Sequence, residues 1–194
     1  MGLGVFAAEE SDPFDPVELA ALQAFKVSGG NSLKLRSWTG DDPCRERALG
    51  WAGVFCTGFL RPVVTELSLP GSQSSRSDLT GDVATLALLV HLTYLNLDYT
   101  AVFGTIPPAY GDVAALRTLY LHNTQLSGTI SPELGQLTAL IDLRLYNTQL
   151  SGTIPDALGD MAALTHLDLQ GTGVTGCPDF CSRHPRITTC SFPT

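Results

Sequence analysis

Apolar residues recur along this chain with a period of 24 residues. The first unit carries an insertion over residues 73–78, the last is one residue shorter, and a half-unit over residues 187–192 repeats the opening segment. Such a period predicts a solenoid, because one unit alone buries too little apolar surface to fold and must stack on its neighbours. The units begin at Val64, Leu92, Leu116, Leu140 and Leu164.

Within each unit, the spacing of apolar positions predicts one short strand and then a bend. The segment L-x-x-L-x-L alternates apolar with polar positions, so the strand buries one face and exposes the other. A glycine follows where the chain must turn, and an isoleucine then returns to the core. The remaining stretch is too short for a full helix, which favours 3₁₀ or irregular backbone on the convex side. The glycines at the bend are Gly104, Gly128, Gly152 and Gly176, and the isoleucines that return to the core are Ile106, Ile130 and Ile154.

The residues before the first unit predict a capping helix. Asp15 is a candidate N-cap, Pro16 suits the first helical position, and Glu18 has the spacing of a capping box. Apolar residues follow at helical spacing, and Gly29 and Gly30 end the pattern. Two tryptophans should cover the open end of the first repeat. The apolar residues are Leu19, Leu22 and Phe25, and the tryptophans are Trp38 and Trp51.

The units resemble the plant-type leucine-rich repeat, L-x-x-L-x-L-x-x-N-x-L-S-G-x-I-P-x-x-L-G. The N-terminal block resembles the matching cap through A-L-Q-A-F-K (21–26), L-R-S-W (35–38), D-P-C (42–44) and W-A-G-V-F-C (51–56). The resemblance implies an α/β fold, a right-handed solenoid with a concave parallel sheet, disulfide-capped ends and a second, smaller sheet formed by the S-G-T-I-P segments. It divides the chain into a tail and cap (1–63), five repeats (64–186) and a C-terminal half-repeat and cap (187–194).

One column departs from the family pattern. Where the family carries an asparagine ladder, this chain has threonines, at Thr100, Thr124, Thr148 and Thr172. A hydroxyl group can still bond the backbone of the neighbouring turn, but it offers fewer donors and acceptors than an amide. We therefore expect the change to alter the stability of the ladder more than the fold.

Five cysteines lie near the two ends of the chain, where bridges would close the open core of a solenoid in an oxidising compartment. Zinc binding is the alternative, but Cys44 and Cys56 have no nearby histidine and no C-x2-C pair occurs. The resemblance implies a disulfide between Cys44 and Cys56. Near the C-terminus three pairings are possible; we favour Cys181 with Cys190, which leaves Cys177 free or available to another chain.

Charge and composition narrow the range of partners. The net charge of −8 argues against nucleic acid and favours a basic protein partner, although acidity can also simply keep a protein soluble. The longest apolar run, Val83 to Val90, is too short to span a bilayer. Val5, Phe6 and Ala7 resemble the end of a signal peptide, so we expect a secreted or extracellular protein, or one in another oxidising lumen. We expect no cofactor and no metal site.

The polar positions of the strands should form columns on the concave face. Tyrosines, histidines and acids on one face are typical of protein recognition, although they can also be ordinary exposed strand residues. The candidate partner-binding residues are Tyr94, Asn96, Asp98, Tyr120, His122, Asp142, Arg144, Tyr146, His166 and Asp168.

Catalysis has little support in the sequence. No motif for a nucleophile, a metallohydrolase or a phosphate-binding loop occurs, and no serine or cysteine joins Asp142 and His166 on their face. We therefore expect a non-catalytic recognition module similar to short plant co-receptor ectodomains. The alternatives are a secreted inhibitor similar to polygalacturonase-inhibiting proteins, an accessory subunit of a larger complex, and an ice-binding protein. For ice binding, the S-G-T steps should place Ser127 and Thr129 in register with Ser151 and Thr153 on the second sheet, with Thr105 nearby, although Phe103 and Cys177 interrupt these hydroxyl rows.

Overall fold

A computed structural model describes residues 15–28, 35, 38, 43–44, 51–57, 62–74, 77–176 and 180–193 of the chain. No helix among these residues is long and apolar enough to cross a membrane. The described helices and strands, in chain order, are α1 (Pro16–Ser28), β1 (Val54–Thr57), β2 (Val63–Ser68), β3 (Tyr94–Asn96), β4 (Phe103–Gly104), β5 (Thr118–Tyr120), β6 (Gln125–Thr129), β7 (Asp142–Arg144), β8 (Gln149–Thr153), β9 (His166–Asp168), β10 (Gly173–Thr175), α2 (Phe180–Arg183) and β11 (Thr189–Ser191).

The predicted concave sheet is present and runs through every repeat. It has the strand order β1-β2-β3-β5-β7-β9-β11, and from β2 onwards neighbouring strands are parallel. Its register follows the sequence repeat, since Leu95, Leu119, Leu143 and Leu167 pair successively and are fully buried. The cap adds β1 at the N-terminal edge, antiparallel to β2. The sequence pattern did not reveal this strand.

A second sheet forms behind the first, in the order β10-β8-β6-β4. The predicted glycine bends are confirmed, because Gly128 and Gly152 have φ of +85° and +86°, where a side chain would be strained. The expected register of the hydroxyl rows is wrong. Ser127 pairs with Gln149 and Thr129 pairs with Ser151, so each strand is shifted by two residues relative to the repeat.

The convex side consists of short 3₁₀ helices, as the sequence predicts. Each ends before the next concave strand, and each places between one and three apolar side chains in the core. They cover Val83–Leu88, Pro108–Asp112, Pro132–Gln136 and Asp156–Leu158. Ile106, Ile130 and Ile154 are buried, so the return of the chain to the core is confirmed.

The N-terminal cap closes the core with aromatic rings. Trp38 and Trp51 are buried and stacked, with ring centroids 4.9 Å apart. Asp15 caps α1 by accepting a hydrogen bond from the Val17 N–H at 2.8 Å. Glu18 does not complete a capping box as predicted. It is buried, and its carboxylate instead accepts a hydrogen bond from the N–H of Val64, at the start of the first repeat. Gly29 and Gly30 lie outside the described residues.

Disulfides join both predicted cysteine pairs. Cys44 bonds to Cys56 within the N-terminal cap, and Cys181, on α2, bonds to Cys190, on β11. Each bond ties a loop or helix to an edge strand of the concave sheet, which is where a stacked array lacks a neighbour. Cys177 lies outside the described residues.

The threonine column bonds differently from our expectation. Each hydroxyl donates to a carbonyl of its own turn, three residues earlier, rather than to the neighbouring turn. The distances are 2.5 Å from Thr100 to Leu97, 2.6 Å from Thr124 to Leu121, 2.8 Å from Thr148 to Leu145 and 2.7 Å from Thr172 to Leu169. The threonines therefore fix the bend within each turn. Between the turns of Thr124 and Thr148, the preceding residues make a side-chain contact, because Asn147 donates its side-chain N–H to the Asn123 side chain at 3.0 Å.

Candidate functional site

The concave sheet brings the predicted surface residues together in columns. Across β2, β3, β5, β7 and β9 the first column reads Glu66, Tyr94, Thr118, Asp142 and His166. The second reads Ser68, Asn96, Tyr120, Arg144 and Asp168 in the same register. The third, just beyond the strands, contains Asp98, His122, Tyr146 and Gln170. The sequence missed Phe55 of β1, which pairs with Glu66 at the edge of the first column and is 54% exposed.

A three-residue network occupies the centre of this face. Tyr120 donates its hydroxyl hydrogen to Asp142 at 2.7 Å, and Arg144 donates to the two oxygens of the same carboxylate at 3.1 and 2.9 Å. The Arg144 guanidinium also lies 4.6 Å from the centre of the Tyr120 ring. Burial, followed by the hydrogen bond to Asp142, raises the pKa of Tyr120 to about 12, so its hydroxyl stays protonated and donates. These contacts hold the three side chains against one another.

His122 is enclosed by aromatic rings. Its ring stacks on Tyr146 with centroids 4.2 Å apart and meets the edges of the Tyr99 and Tyr120 rings at 5.4 and 6.1 Å. Burial, aided by the charge of Arg144, lowers the pKa of His122 to about 4, so the ring is neutral near pH 7. Its Nε2 lies 3.2 Å from a carboxylate oxygen of Asp98 and donates to it in the neutral ring, while Nδ1 has no partner among the described residues.

Tyr99 belongs to this cluster, although it is not among the residues that the sequence pattern predicts. Its φ of +53° matches that of Asn123 and Asn147 at the same position of later repeats. Burial and a side-chain hydrogen bond with Tyr99 raise the pKa of Tyr146 to about 12. The signal that could have identified Tyr99 is its place directly after Asp98 in the third column, where an aromatic replaces the asparagine of the next two repeats.

Three of the predicted contact residues are buried and support the surface instead of forming it. Asn96, His122 and Asp142 are 8%, 3% and 9% exposed. Asn96 donates to the Tyr94 hydroxyl at 3.2 Å and accepts from the Asp98 N–H at 3.0 Å, so it positions its neighbours. Their short or inward-leaning side chains are covered by the tyrosines and by Arg144. The other seven predicted residues are partly exposed on the concave face.

A hollow of about 300 Å³ lies on the C-terminal half of the face. His166 stands in its wall with Nδ1 2.7 Å from the Thr165 hydroxyl, and Asp168 accepts a hydrogen bond from the Gln170 N–H at 3.1 Å. Polar and apolar surface line the hollow in nearly equal shares. The residues that line it are Asp142, Arg144, Tyr146, Asn147, His166, Leu167, Asp168, Gln170 and Thr189.

Comparison with known families agrees with this architecture. The leucine rich repeat N-terminal domain matches residues 15–57, and the leucine rich repeat matches residues 115–137 and 139–161. No curated protein matches the chain in sequence.

Solved structures with the same fold include plant proteins. A chain in the BIR3–SERK2 complex from Arabidopsis thaliana is 27% identical with a TM-score of 0.73, and the match covers 93% of this chain and 94% of that one. The ectodomain of the receptor kinase SOBIR1 from Arabidopsis thaliana is 24% identical with a TM-score of 0.70, covering 93% of each chain. A plant ice-binding protein is 24% identical with a TM-score of 0.62, covering 89% of this chain and 61% of that one. The chain thus contains a leucine rich repeat N-terminal domain followed by leucine rich repeats, and its fold is similar to the ectodomains of plant receptor kinases.

Proposed function

We propose that this protein is a non-catalytic recognition module that binds a protein partner through its concave face. The observation that carries the proposal is the cluster of tyrosines, Tyr94, Tyr120 and Tyr146, with Arg144, on one continuous sheet. Tyrosine and arginine are enriched at protein interfaces, where they supply large contact areas together with hydrogen-bonding groups.

The fixed geometry of the face supports this proposal. Tyr120 and Arg144 both bond to Asp142, and Tyr146 stacks on His122, so these side chains have few alternative rotamers. Binding then requires little further ordering, which lowers the entropic cost of association. A chain of the related fold is found in a complex between two proteins, BIR3 and SERK2.

The same contacts argue against catalysis. Asp142 and His166 pair in register, but the carboxylate is engaged by Arg144 and Tyr120, and the histidine Nδ1 bonds Thr165. His122 is neutral and enclosed. None of these groups is therefore arranged as a general base beside a nucleophile.

An oxidising environment is part of the proposal. The disulfides Cys44–Cys56 and Cys181–Cys190 persist outside the reducing cytosol, which favours a secreted or extracellular protein. A secreted inhibitor or an accessory subunit would use the same face, and the identity of the captured partner separates these cases.

Ice binding is the second candidate, since a plant ice-binding protein has this fold and Thr129, Thr153 and Thr175 are exposed on the second sheet. The two-residue shift between strands pairs Thr129 with Ser151 and Thr153 with Thr175. Ser151, however, pairs onward with Gly173, and Ser127 pairs with Gln149, so no paired hydroxyl row runs through β6, β8 and β10 as a lattice match needs. Measuring thermal hysteresis tests this candidate directly, and we expect none.

A matched pair of substitutions tests the concave face. Thr118→Arg inserts a long charged side chain between Tyr94 and Asp142, in the middle of the first column. Thr129→Arg makes the same change on the exposed second sheet. We expect immobilised wild type and Thr129→Arg to capture the same protein from the source extract, and Thr118→Arg to lose it. Equal capture by both variants would show that the partner binds elsewhere.

A further inference from the structure

The hollow on the concave face contains a carboxylate whose neighbouring cation is engaged elsewhere. Asp168 on β9 pairs in register with Arg144 on β7. Arg144 nevertheless directs its guanidinium to Asp142 on its own strand, and lies over the Tyr120 ring on the far side. Within the described part of the chain, no cationic side chain forms an ion pair with Asp168. The hollow is therefore left with one uncompensated negative charge.

The walls beside Asp168 add groups that suit a flat cation. The Tyr146 ring lines the hollow and is held in place by its stack on His122. Because His122 is neutral near pH 7, the stack brings no positive charge to the site. The Gln170 and Asn147 side chains, also in the lining, offer amide oxygens as further acceptors. Burial and the Tyr99 hydrogen bond, with a smaller effect from Asp168, raise the pKa of Tyr146 to about 12, so the ring stays uncharged.

The size of the hollow limits its occupant. Its volume of about 300 Å³ is at the lower end for ligand sites, which suits one long side chain better than a folded element. It opens on the inner curve of the sheet, beside the exposed tyrosines, where an extended segment can cross the strands. The wider face carries the carboxylates of Glu66, Asp98 and Asp142 against the single guanidinium of Arg144, and the chain has a net charge of −8.

The geometry points to an arginine side chain of the partner, inserted into this hollow with its guanidinium paired to Asp168 and stacked on Tyr146. Arginine fits better than lysine, because its planar fork can bond a carboxylate at two points and stack on an aromatic ring at once. This inference rests on the proposed function, and it adds the chemistry that the partner must present.

The probe for this inference is a single capped amino acid. N-acetyl-L-arginine methylamide is titrated into the ¹⁵N-labelled full chain, and the amide signals of Asp168, Gln170 and Asn147 are followed. We expect saturable shifts at these residues, at least about threefold tighter for arginine than for the capped lysine. Capped norleucine should give no shift there. Absence of saturable shifts with the arginine probe, or equal affinity for lysine, overturns the assignment.

Two variants, each of which removes one negative charge, test the role of the Asp168 carboxylate. Asp168→Asn should weaken binding of the arginine probe about tenfold, because a charge-assisted pair is replaced by a neutral contact. Asp160→Asn removes the same charge from the exposed convex side and should bind like wild type. If Asp168→Asn shifts amide signals outside the hollow, the Gln170→Arg variant is used in its place. The new guanidinium should occupy the site and exclude the arginine probe. Unchanged affinity in a folded variant overturns the inference.

The two proposals fail in distinguishable ways. If Thr118→Arg loses the partner while Asp168→Asn captures it at full strength, the concave face binds protein but the arginine site is wrong. If the arginine probe binds at Asp168 but Thr118→Arg retains the partner, the hollow is an arginine site and the proposed concave interface is wrong.

Discussion

Glu18 of the capping helix accepts a hydrogen bond from the backbone N–H of Val64 at 2.9 Å, across 46 residues of sequence. Its second oxygen lies 2.8 Å from Nδ1 of His91, at the boundary between the first two repeats. One buried carboxylate thus accepts a hydrogen bond from a backbone N–H of the first repeat strand and holds the cap to that strand. The cap is therefore bonded to the array as well as packed on it.

This contact predicts a large cost for one substitution. Glu18→Ala leaves the Val64 N–H buried without a partner, which should lower the free energy of unfolding by about 1–3 kcal/mol. Chemical denaturation followed by circular dichroism measures the change. The matched control is Glu66→Ala, because Glu66 is exposed on the concave face and its removal should change stability by less than about 0.5 kcal/mol. Equal effects of the two substitutions would contradict a structural role for Glu18.

Local sequence patterns predicted the elements of this fold better than the contacts between them. The 24-residue period indicated the concave strands, the glycine bends and the 3₁₀ turns, because these depend on apolar spacing within one unit. Glu18 was assigned to a capping box since Asp15 is three residues away, whereas its actual partners are distant in sequence. No pattern within one unit contains that information.

Side-chain direction limited the prediction of the binding face in a similar way. The alternation of polar and apolar positions along each strand correctly predicted that Tyr120, Asp142 and Arg144 lie on one side of the sheet. It could not show that Asp142 would be covered by the other two, because that depends on their rotamers. The two-residue shift between strands of the second sheet could not be predicted either, since the repeat fixes the spacing of residues along the chain but not the register in which short strands pair.

The C-terminal disulfide should stabilise the end of the array more than its middle. Replacing both Cys181 and Cys190 by alanine should cost about 2–3 kcal/mol, because the closed loop no longer restricts the unfolded chain. In a repeat protein this loss acts on the nearest turn first. The Leu169 and Thr189 amides donate hydrogen bonds to the carbonyls of Ser191 and Thr165, between the last two turns. Hydrogen exchange should therefore accelerate at these two amides, and much less at the Leu121 amide.

Two observations check this prediction. The wild-type chain, denatured without reductant, should have Cys44, Cys56, Cys181 and Cys190 protected from alkylation, as measured by mass spectrometry. The corresponding Cys44→Ala, Cys56→Ala variant should accelerate exchange at the opposite end, near β1 and β2. Uniform acceleration along the chain in both variants would contradict local stabilisation.

The buried ring of His122 predicts a stability that falls in acid. Its pKa in the folded protein is about 4, because burial opposes the charged form, whereas an exposed histidine titrates near 6.5. Between these values the unfolded chain binds more protons than the folded one, so the free energy of unfolding decreases as the pH falls. The stabilisation is fully present above about pH 6.5 and is lost progressively down to about pH 4.

His122→Gln isolates this effect, because glutamine keeps a donor for Asp98 and does not titrate. Urea unfolding at a series of pH values should give wild type an additional loss, on the order of 2 kcal/mol between neutral pH and pH 4, that the variant lacks. The variant should be less stable at neutral pH, since it loses the stack on Tyr146, so the slope with pH and not the absolute stability is compared. Parallel pH profiles for the two proteins would mean that the His122 ring can charge inside the fold, and that the aromatic cluster is open to water.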